Sequence, residues 1–207
     1  MGYSVLDTGI LMAPRGVGTM VSMMLVGRLV NAVDPRVLIF SGLFFTATSL
    51  YYMTQFGVFV PPSMLIWTGA LQGFGLGFIF IPLNVVAFAT LKPRYRAEAA
   101  AMFSLVRNVG SSIGISMVMA VLSRNIQINH AYLTEFLTPF TLGFSWQQIP
   151  QSLLSNSTAV LAFVDLEITR QAAAIAYIND FKLMMWVVLA SAPLVLFLKR
   201  PAPAGLK

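Results

Sequence analysis

Two arginines stand inside apolar, membrane-length stretches of this 207-residue sequence, and their positions are the first candidates for chemistry. Arg15 follows Pro14 and is flanked by Gly16 and Gly18. Proline removes a backbone hydrogen bond and kinks a helix, while the glycines let neighbours approach. Arg107 lies in Ser104-Leu105-Val106-Arg107-Asn108-Val109-Gly110-Ser111-Ser112-Ile113-Gly114. Each arginine is ~8 residues, or ~12 Å, inside its helix end. A guanidinium at that depth costs at least ~2.5 kcal/mol unless it is paired or hydrated. Snorkelling is one resolution: helical side chains lean toward the N-terminus, so Arg15 reaches outward and Arg107 reaches the cytoplasmic surface. Pairing is the other, and Asn108, Ser104, Ser111 and Ser112 give Arg107 the polar surroundings it needs. On that reading Arg107 faces a central cavity and meets an acid supplied from outside this sequence. Gln72, and Asn84 after the helix-breaking Pro82, are uncharged polar groups in apolar stretches. They line a substrate path or bond a neighbouring helix.

Other chemistries lack their residues. No carboxylate is expected in a span interior, because Asp7 and Asp180 fall at span ends. Without cysteine there are neither disulfides nor thiolate metal sites, and one histidine with seven acids makes a buried metal cluster a poor expectation. No HExxH, GxSxG or paired intramembrane acids occur, so no catalytic residue, metal site or cofactor is expected and the chain does not read as an enzyme.

Hydrophobic residues make up 57% of the chain and charged residues 10%, too little charge to cover a water-soluble domain of this size. The expected class is therefore an all-α integral membrane protein. Spans fall at about 8–30, 37–56, 63–91, 99–122 and 181–198. The breaks carry turn chemistry: Asn31 to Asp34-Pro35, Gly57 to Pro61-Pro62, and Lys92-Pro93-Arg94. Continuous apolar runs without alternation exclude barrel strands. The net charge of +6 comes from bases clustered between spans, the pattern of membrane loops and not of a nucleic-acid binder. If the first loop is cytoplasmic, that side receives Arg28, Arg36, Lys92, Arg94, Arg96, Lys199, Arg200 and Lys207, against Arg124, Arg170 and Lys182 opposite. This positive-inside bias places the C-terminus in the cytoplasm and the N-terminal residues outside, which is expected of a piece preceded by further spans.

The organisation expected is a four-helix membrane segment over 1–123, a periplasmic region over 124–180, and a last span with a cytoplasmic tail over 181–207. Within 124–180 a loop passes Pro139, Gly143 and Pro150. From about Asn156 an amphipathic helix follows, mixing Ala159, Leu161, Phe163, Leu166 and Ile168 with Asp165, Glu167, Arg170 and Gln171. It is expected to continue through Ala172–Ala176 into the last span, and it caps the bundle or docks a periplasmic partner. Gly69, Gly73 and Gly77 recur at four-residue spacing in the third span, and Gly110 and Gly114 in the fourth, so both spans are expected to pack closely against other helices. In the first cytoplasmic loop Asp34 before Pro35 reads as an N-cap with proline at the first helical position. Arg28, Asp34 and Arg36 together are candidates for a latch that tunes an inward–outward equilibrium.

Taken in order, Gly2-Tyr3-Ser4, Ala13-Pro14-Arg15-Gly16, Gly27-Arg28-Leu29-Val30-Asn31 with Asp34-Pro35-Arg36, Gln72-Gly73 with Pro82-Leu83, Arg107-Asn108-Val109-Gly110 to Gly114, and His130-Ala131-Tyr132-Leu133-Thr134-Glu135 form a set. The set resembles the fourteen-spanner drug:proton antiporters of the major facilitator superfamily, the EmrB/QacA type and its EmrB branch. The resemblance covers essentially the whole chain and places its spans as the tenth to fourteenth, most of the C-terminal half of the fold. It implies export of hydrophobic drugs, driven by a proton gradient through alternating access, in a bacterial inner membrane. It also implies the partners: membrane lipid, drug substrates, a missing N-terminal half bearing the proton-coupling carboxylates, a periplasmic adaptor and an outer-membrane channel. The 27–36 loop resembles a degenerate copy of the superfamily's cytoplasmic gating motif, without its Asp-Arg-x-Gly-Arg core. The chain alone is expected to transport nothing. The competing expectation is a non-transporting scaffold, or a split-gene subunit that assembles with a separate N-terminal half.

Overall fold

The computed structural model describes residues 5–30, 32–57, 59–89, 91–136 and 157–198. Over these the chain is helical throughout: α1 (Val5–Leu29), α2 (Pro35–Met53), α3 (Pro62–Phe88), a short 3-10 turn (Pro93–Tyr95), α4 (Arg96–Phe136) and α5 (Ser157–Leu196). All five α-helices are long and apolar enough to cross a membrane. The loop expected around Pro139, Gly143 and Pro150, the N-terminal Gly2-Tyr3-Ser4, Asn31, and the bases Lys199, Arg200 and Lys207 lie outside the described residues.

The breaks between the first three helices follow local chemistry. Asp34 caps α2 through its Oδ1, which accepts the Arg36 backbone N–H at 3.0 Å, with Pro35 at the first helical position. Pro61 and Pro62 open α3, where a missing N–H leaves no bond unmade. The last two helices outrun the apolar stretches at 99–122 and 181–198. α4 has 41 residues and α5 has 40, about 60 Å each and twice the hydrocarbon thickness of a bilayer. The physical reason is that hydropathy marks where a membrane ends but not where a helix ends. Between Ile115 and Phe136, and between Ser157 and Ala192, there is no glycine or proline to stop the hydrogen-bond ladder.

The chain divides into two compact units, 1–112 with 181–207, and 113–180. In the first, α3 packs against both α1 and α2. Its two faces are set by glycines. A Cβ on Gly73 would fall on the Arg15 carbonyl oxygen of α1, and one on Gly77 on the Ser22 Oγ. On the opposite face, a Cβ on Gly75 would sit 2.5 Å from Thr46 Oγ1 of α2, and one on Gly42 would lie 2.8 Å from the Gly75 carbonyl. Backbones this close leave no room for side chains, the small-residue packing of membrane helices. Ser49 of α2 donates its hydroxyl to the Thr68 carbonyl at 2.7 Å, both residues being buried. Phe45 packs edge-on to Phe74 and Phe78 of α3, at 5.3 and 5.9 Å between ring centres. Val26, Leu38, Ile39 and Leu50 complete this core.

The second unit pairs the end of α4 with the start of α5. Leu122, Ala172 and Ala176 are its buried apolar residues. His130 Nε2 and Asp165 Oδ1 meet at 3.0 Å between the two helices. Glu167 binds Arg170 at 3.6 Å and Gln171 at 3.3 Å on the outer side of α5.

Candidate functional site

An apolar groove of about 640 Å³ opens between α1 and α3, with one contribution from α2. Ile10, Pro14 and Val17 of α1 face Trp67, Leu71 and Phe74 of α3, and Phe45 of α2 closes one end. Pro14, which has no N–H to donate to the Ile10 carbonyl, lies within the continuous α1 and lines the groove together with Ile10. Gly18 and Gly73 draw the two helices together one turn further on. Its walls carry no charge, and the Trp67 indole N–H is their one hydrogen-bonding side-chain group, so what it can hold is mainly hydrocarbon or aromatic surface.

The residues proposed for chemistry distribute around this groove unevenly. Arg15 follows its lining residue Pro14, and the Arg15 carbonyl serves the helix contact with Gly73 while also accepting the Thr19 hydroxyl at 2.9 Å. Gln72 is half-buried beside the lining residue Leu71. Asn84 turns its amide back onto its own helix, donating to the Phe80 carbonyl at 2.7 Å two residues after Pro82. Arg107 and Asn108 are both exposed on α4. Ser111 donates to the Asn108 carbonyl at 2.9 Å, so the polar patch around Arg107 is tied within its own helix. The chain itself thus brings no carboxylate to Arg107 among the described residues.

The glycine expectations separate. Gly73 and Gly77 lie in helix contacts, and Gly69 is at their edge, with Arg15 Cβ 3.8 Å away. Gly110 and Gly114 have nothing within 4 Å of a Cβ position, so the close packing expected of them is not made within the described residues. Their helix explains this, since its first half is exposed on nearly every side.

At the cytoplasmic end expected for α2, the Arg36 guanidinium donates through Nη2 to the Leu198 carbonyl, just past the end of α5. A cation at a helix C-terminus meets both unsatisfied carbonyls and the negative end of the dipole. Arg28, Asp34 and Arg36 take different places. Asp34 caps α2, Arg36 ties α2 to the end of α5, and Arg28 is exposed in the last turn of α1.

Asp180, expected at a span end, is the twenty-fourth residue of the continuous α5 and is only 3% exposed, a burial the sequence did not announce. The Ile178-Asn179-Asp180 stretch reads locally as a polar margin. The available signal was the spacing of Ala172, Ala176 and Asp180, which puts the carboxylate on the helix's small, buried face.

The chain is 28% identical over 206 residues to the probable multidrug resistance protein EmrY of Escherichia coli K12, covering 99% of this chain and 40% of that protein. It is 25% identical to the multidrug export protein EmrB of the same strain, covering 99% of this chain and 40% of that one. To the fatty acid resistance protein FarB of Neisseria gonorrhoeae it is also 25% identical, covering 99% and 41%. The chain therefore spans about two-fifths of the length of these relatives. The Major Facilitator Superfamily model matches residues 1–198, nearly the whole sequence. With five membrane-length helices and similarity to EmrB-type proteins along its length, this multi-pass membrane chain belongs to the Major Facilitator Superfamily.

Proposed function

We propose that the chain supplies five transmembrane helices to a proton-driven multidrug efflux transporter, which exports hydrophobic or amphipathic compounds by alternating access. The observation that carries this reading is similarity along 99% of the chain to a multidrug export protein. The uncharged groove between α1 and α3 supports it, because it matches hydrophobic surface and offers no charged anchor that would demand one particular compound. Arg107, Asn108, Gln72, Asn84 and Arg15 serve the substrate path or its coupling. Arg28, Asp34 and Arg36 govern the cytoplasmic gate.

The two-fifths coverage supports the companion reading, that a further N-terminal half completes the transport path and that these helices alone are inactive. The assembly sits in a bacterial inner membrane with its C-terminus cytoplasmic. Its periplasmic region, 124–180, meets a periplasmic adaptor that leads to an outer-membrane channel. Membrane lipid surrounds it, and the energy comes from the proton gradient without a bound cofactor. The same coverage supports the second reading, a scaffold or split-gene subunit that assembles without transporting. Drug accumulation in a pump-deficient, outer-membrane-permeable strain separates the two. Restored efflux on co-expression with an N-terminal half supports the transporter, and assembly without efflux supports the scaffold.

A further inference from the structure

The register of the first three helices collects charge at one end of their unit. Gly73 meets Arg15 and Gly77 meets Ser22, so α1 and α3 run parallel. Gly75 meets Thr46 and Ser49 meets Thr68, so α2 runs antiparallel to both. The end of α1, the start of α2 and the end of α3 therefore lie together. Arg28, Arg36, Lys92, Arg94 and Arg96 gather there against Asp34 and Glu98. The opposite end of these three helices carries only Asp7 among the described residues.

Arg36 is already engaged by the Leu198 carbonyl, and Asp34 caps α2. Lys92, Arg94 and Arg96 are different: they crowd the turn from α3 to α4, all three are exposed, and no ion pair reaches them among the described residues. Glu98, the nearby acid, is exposed and forms no ion pair with them. The turn itself is built. The Tyr95 N–H donates to the Lys92 carbonyl at 3.0 Å, and Phe88 packs edge-on to Phe103 at 5.7 Å between ring centres, which ties the start of α4 back to α3. The Arg94 guanidinium lies over the Tyr95 ring, 4.4 Å from its centre, and donates through Nη2 to the phenol oxygen. This holds one edge of the planar fork and leaves its other donors open.

Depth follows from helix length. α3 has 27 residues, about 40 Å against about 30 Å of hydrocarbon, so the turn after it reaches the level of the headgroups. Tyrosine is at home there, with its ring against acyl carbons and its hydroxyl among polar groups. The anion of that level is lipid phosphate, and an arginine fork matches two of its oxygens at once. We propose that Lys92, Arg94 and Arg96 bind the phosphate of an anionic phospholipid headgroup, with Arg94, pre-set on Tyr95, as the anchor. A zwitterionic lipid offers the same phosphate but brings its own cation, which three unpaired bases repel. A dissolved phosphate lacks acyl chains, for which the exposed Met102 and Val106 of α4 supply apolar surface on the membrane side of the turn. In the orientation proposed above, this end meets the cytoplasmic leaflet, where basic clusters find anionic lipid.

The test is native mass spectrometry of the 207-residue chain, released from micelles doped with equal amounts of phosphatidylglycerol and phosphatidylcholine of matched chains, with helicity followed by circular dichroism. The wild type should retain phosphatidylglycerol several-fold over phosphatidylcholine, and excess inorganic phosphate should not displace it. Arg94→Gln and Arg96→Gln should each weaken that retention about five-fold, the usual contribution of one base near a lipid surface. Neutralising Lys92, Arg94 and Arg96 together should abolish the preference, while Arg124→Gln, in the other unit, should leave it unchanged. Equal retention of the two lipids, displacement by inorganic phosphate, or the same loss from Arg124→Gln overturns the proposal. If the triple variant fails to fold, the two single ones decide: a five-fold loss in each supports the site, and no loss removes it. Lipid retention is read without drug or gradient, so it stands or falls apart from the proposed transport.

Discussion

At the scale of single residues, glycine makes the sharpest contrast. Gly73 and Gly110 are both helical glycines in four-residue repeats, yet one is pressed against a backbone carbonyl and the other faces open space. Gly73→Ala should therefore destabilise the chain, since the Arg15 carbonyl it would strike is backbone and cannot rotate away. Overpacking of this kind costs roughly 1–3 kcal/mol. Gly110→Ala should instead stabilise by about 0.5–1 kcal/mol, because alanine loses less entropy in a helix. Unfolding in detergent micelles checks both, and equal effects would refute the packing described for α3. Arg107 has a different test, because its surroundings within this chain contain no acid. If it pairs with a carboxylate elsewhere in a complete transporter, Arg107→Ala should lower efflux by roughly ten-fold or more, given the ~2.5 kcal/mol scale of an intramembrane charge. Unchanged efflux would leave Arg107 as a snorkelling residue.

At the scale of helices, the question is what holds the ends. Arg36 bridges the start of α2 and the end of α5 through a charge-assisted bond. Arg36→Gln should leave α2 formed, because Asp34 and Pro35 still start it, while the last turn of α5 frays. Losing a charged hydrogen bond costs about 1.5–3 kcal/mol, so amide exchange in the last turn of α5 should quicken by at least ten-fold. No change there would remove the latch. The His130–Asp165 pair offers the opposite expectation, since Asp165 is 69% exposed. A double-mutant cycle on it should find a coupling of at most about 1 kcal/mol. Much of this layer was legible in the residues. Asp34-Pro35 and Pro61-Pro62 announced the starts of α2 and α3, and the small-xxx-small run announced the tight face of α3. The reach of α4 was not legible from hydropathy, because Arg124 to His130 are polar enough to end a span yet perfectly compatible with a helix, whereas the amphipathic pattern from about Asn156 did point to a helix running on into the last span. Asp180 was hidden for a related reason: burial is a property of two helices together, and one helix's polar margin looks the same either way.

At the scale of the whole molecule, the decisive fact is proportion. The chain covers nearly all of itself and two-fifths of each relative when aligned with EmrY and EmrB. The proposed alternating access would require two bodies that move about a shared path, and a groove built by α1 to α3 would offer only one wall of such a path. Expressed alone in a pump-deficient, outer-membrane-permeable strain, the chain should leave drug accumulation at the level of the empty vector. Expressed together with the N-terminal portion of an EmrB-type relative, it should lower accumulation several-fold, and the effect should collapse when the proton gradient is dissipated. A drop in accumulation from the chain alone would mean that these five helices, singly or as an oligomer, enclose a path by themselves. The exposed apolar residues of α4, among them Met102, Leu105, Val106 and Val109, would then be the surface through which copies meet. Without such a drop, the same surface is left for lipid or for the proposed N-terminal half, and the burial of Asp180 is the feature to follow when that half is added.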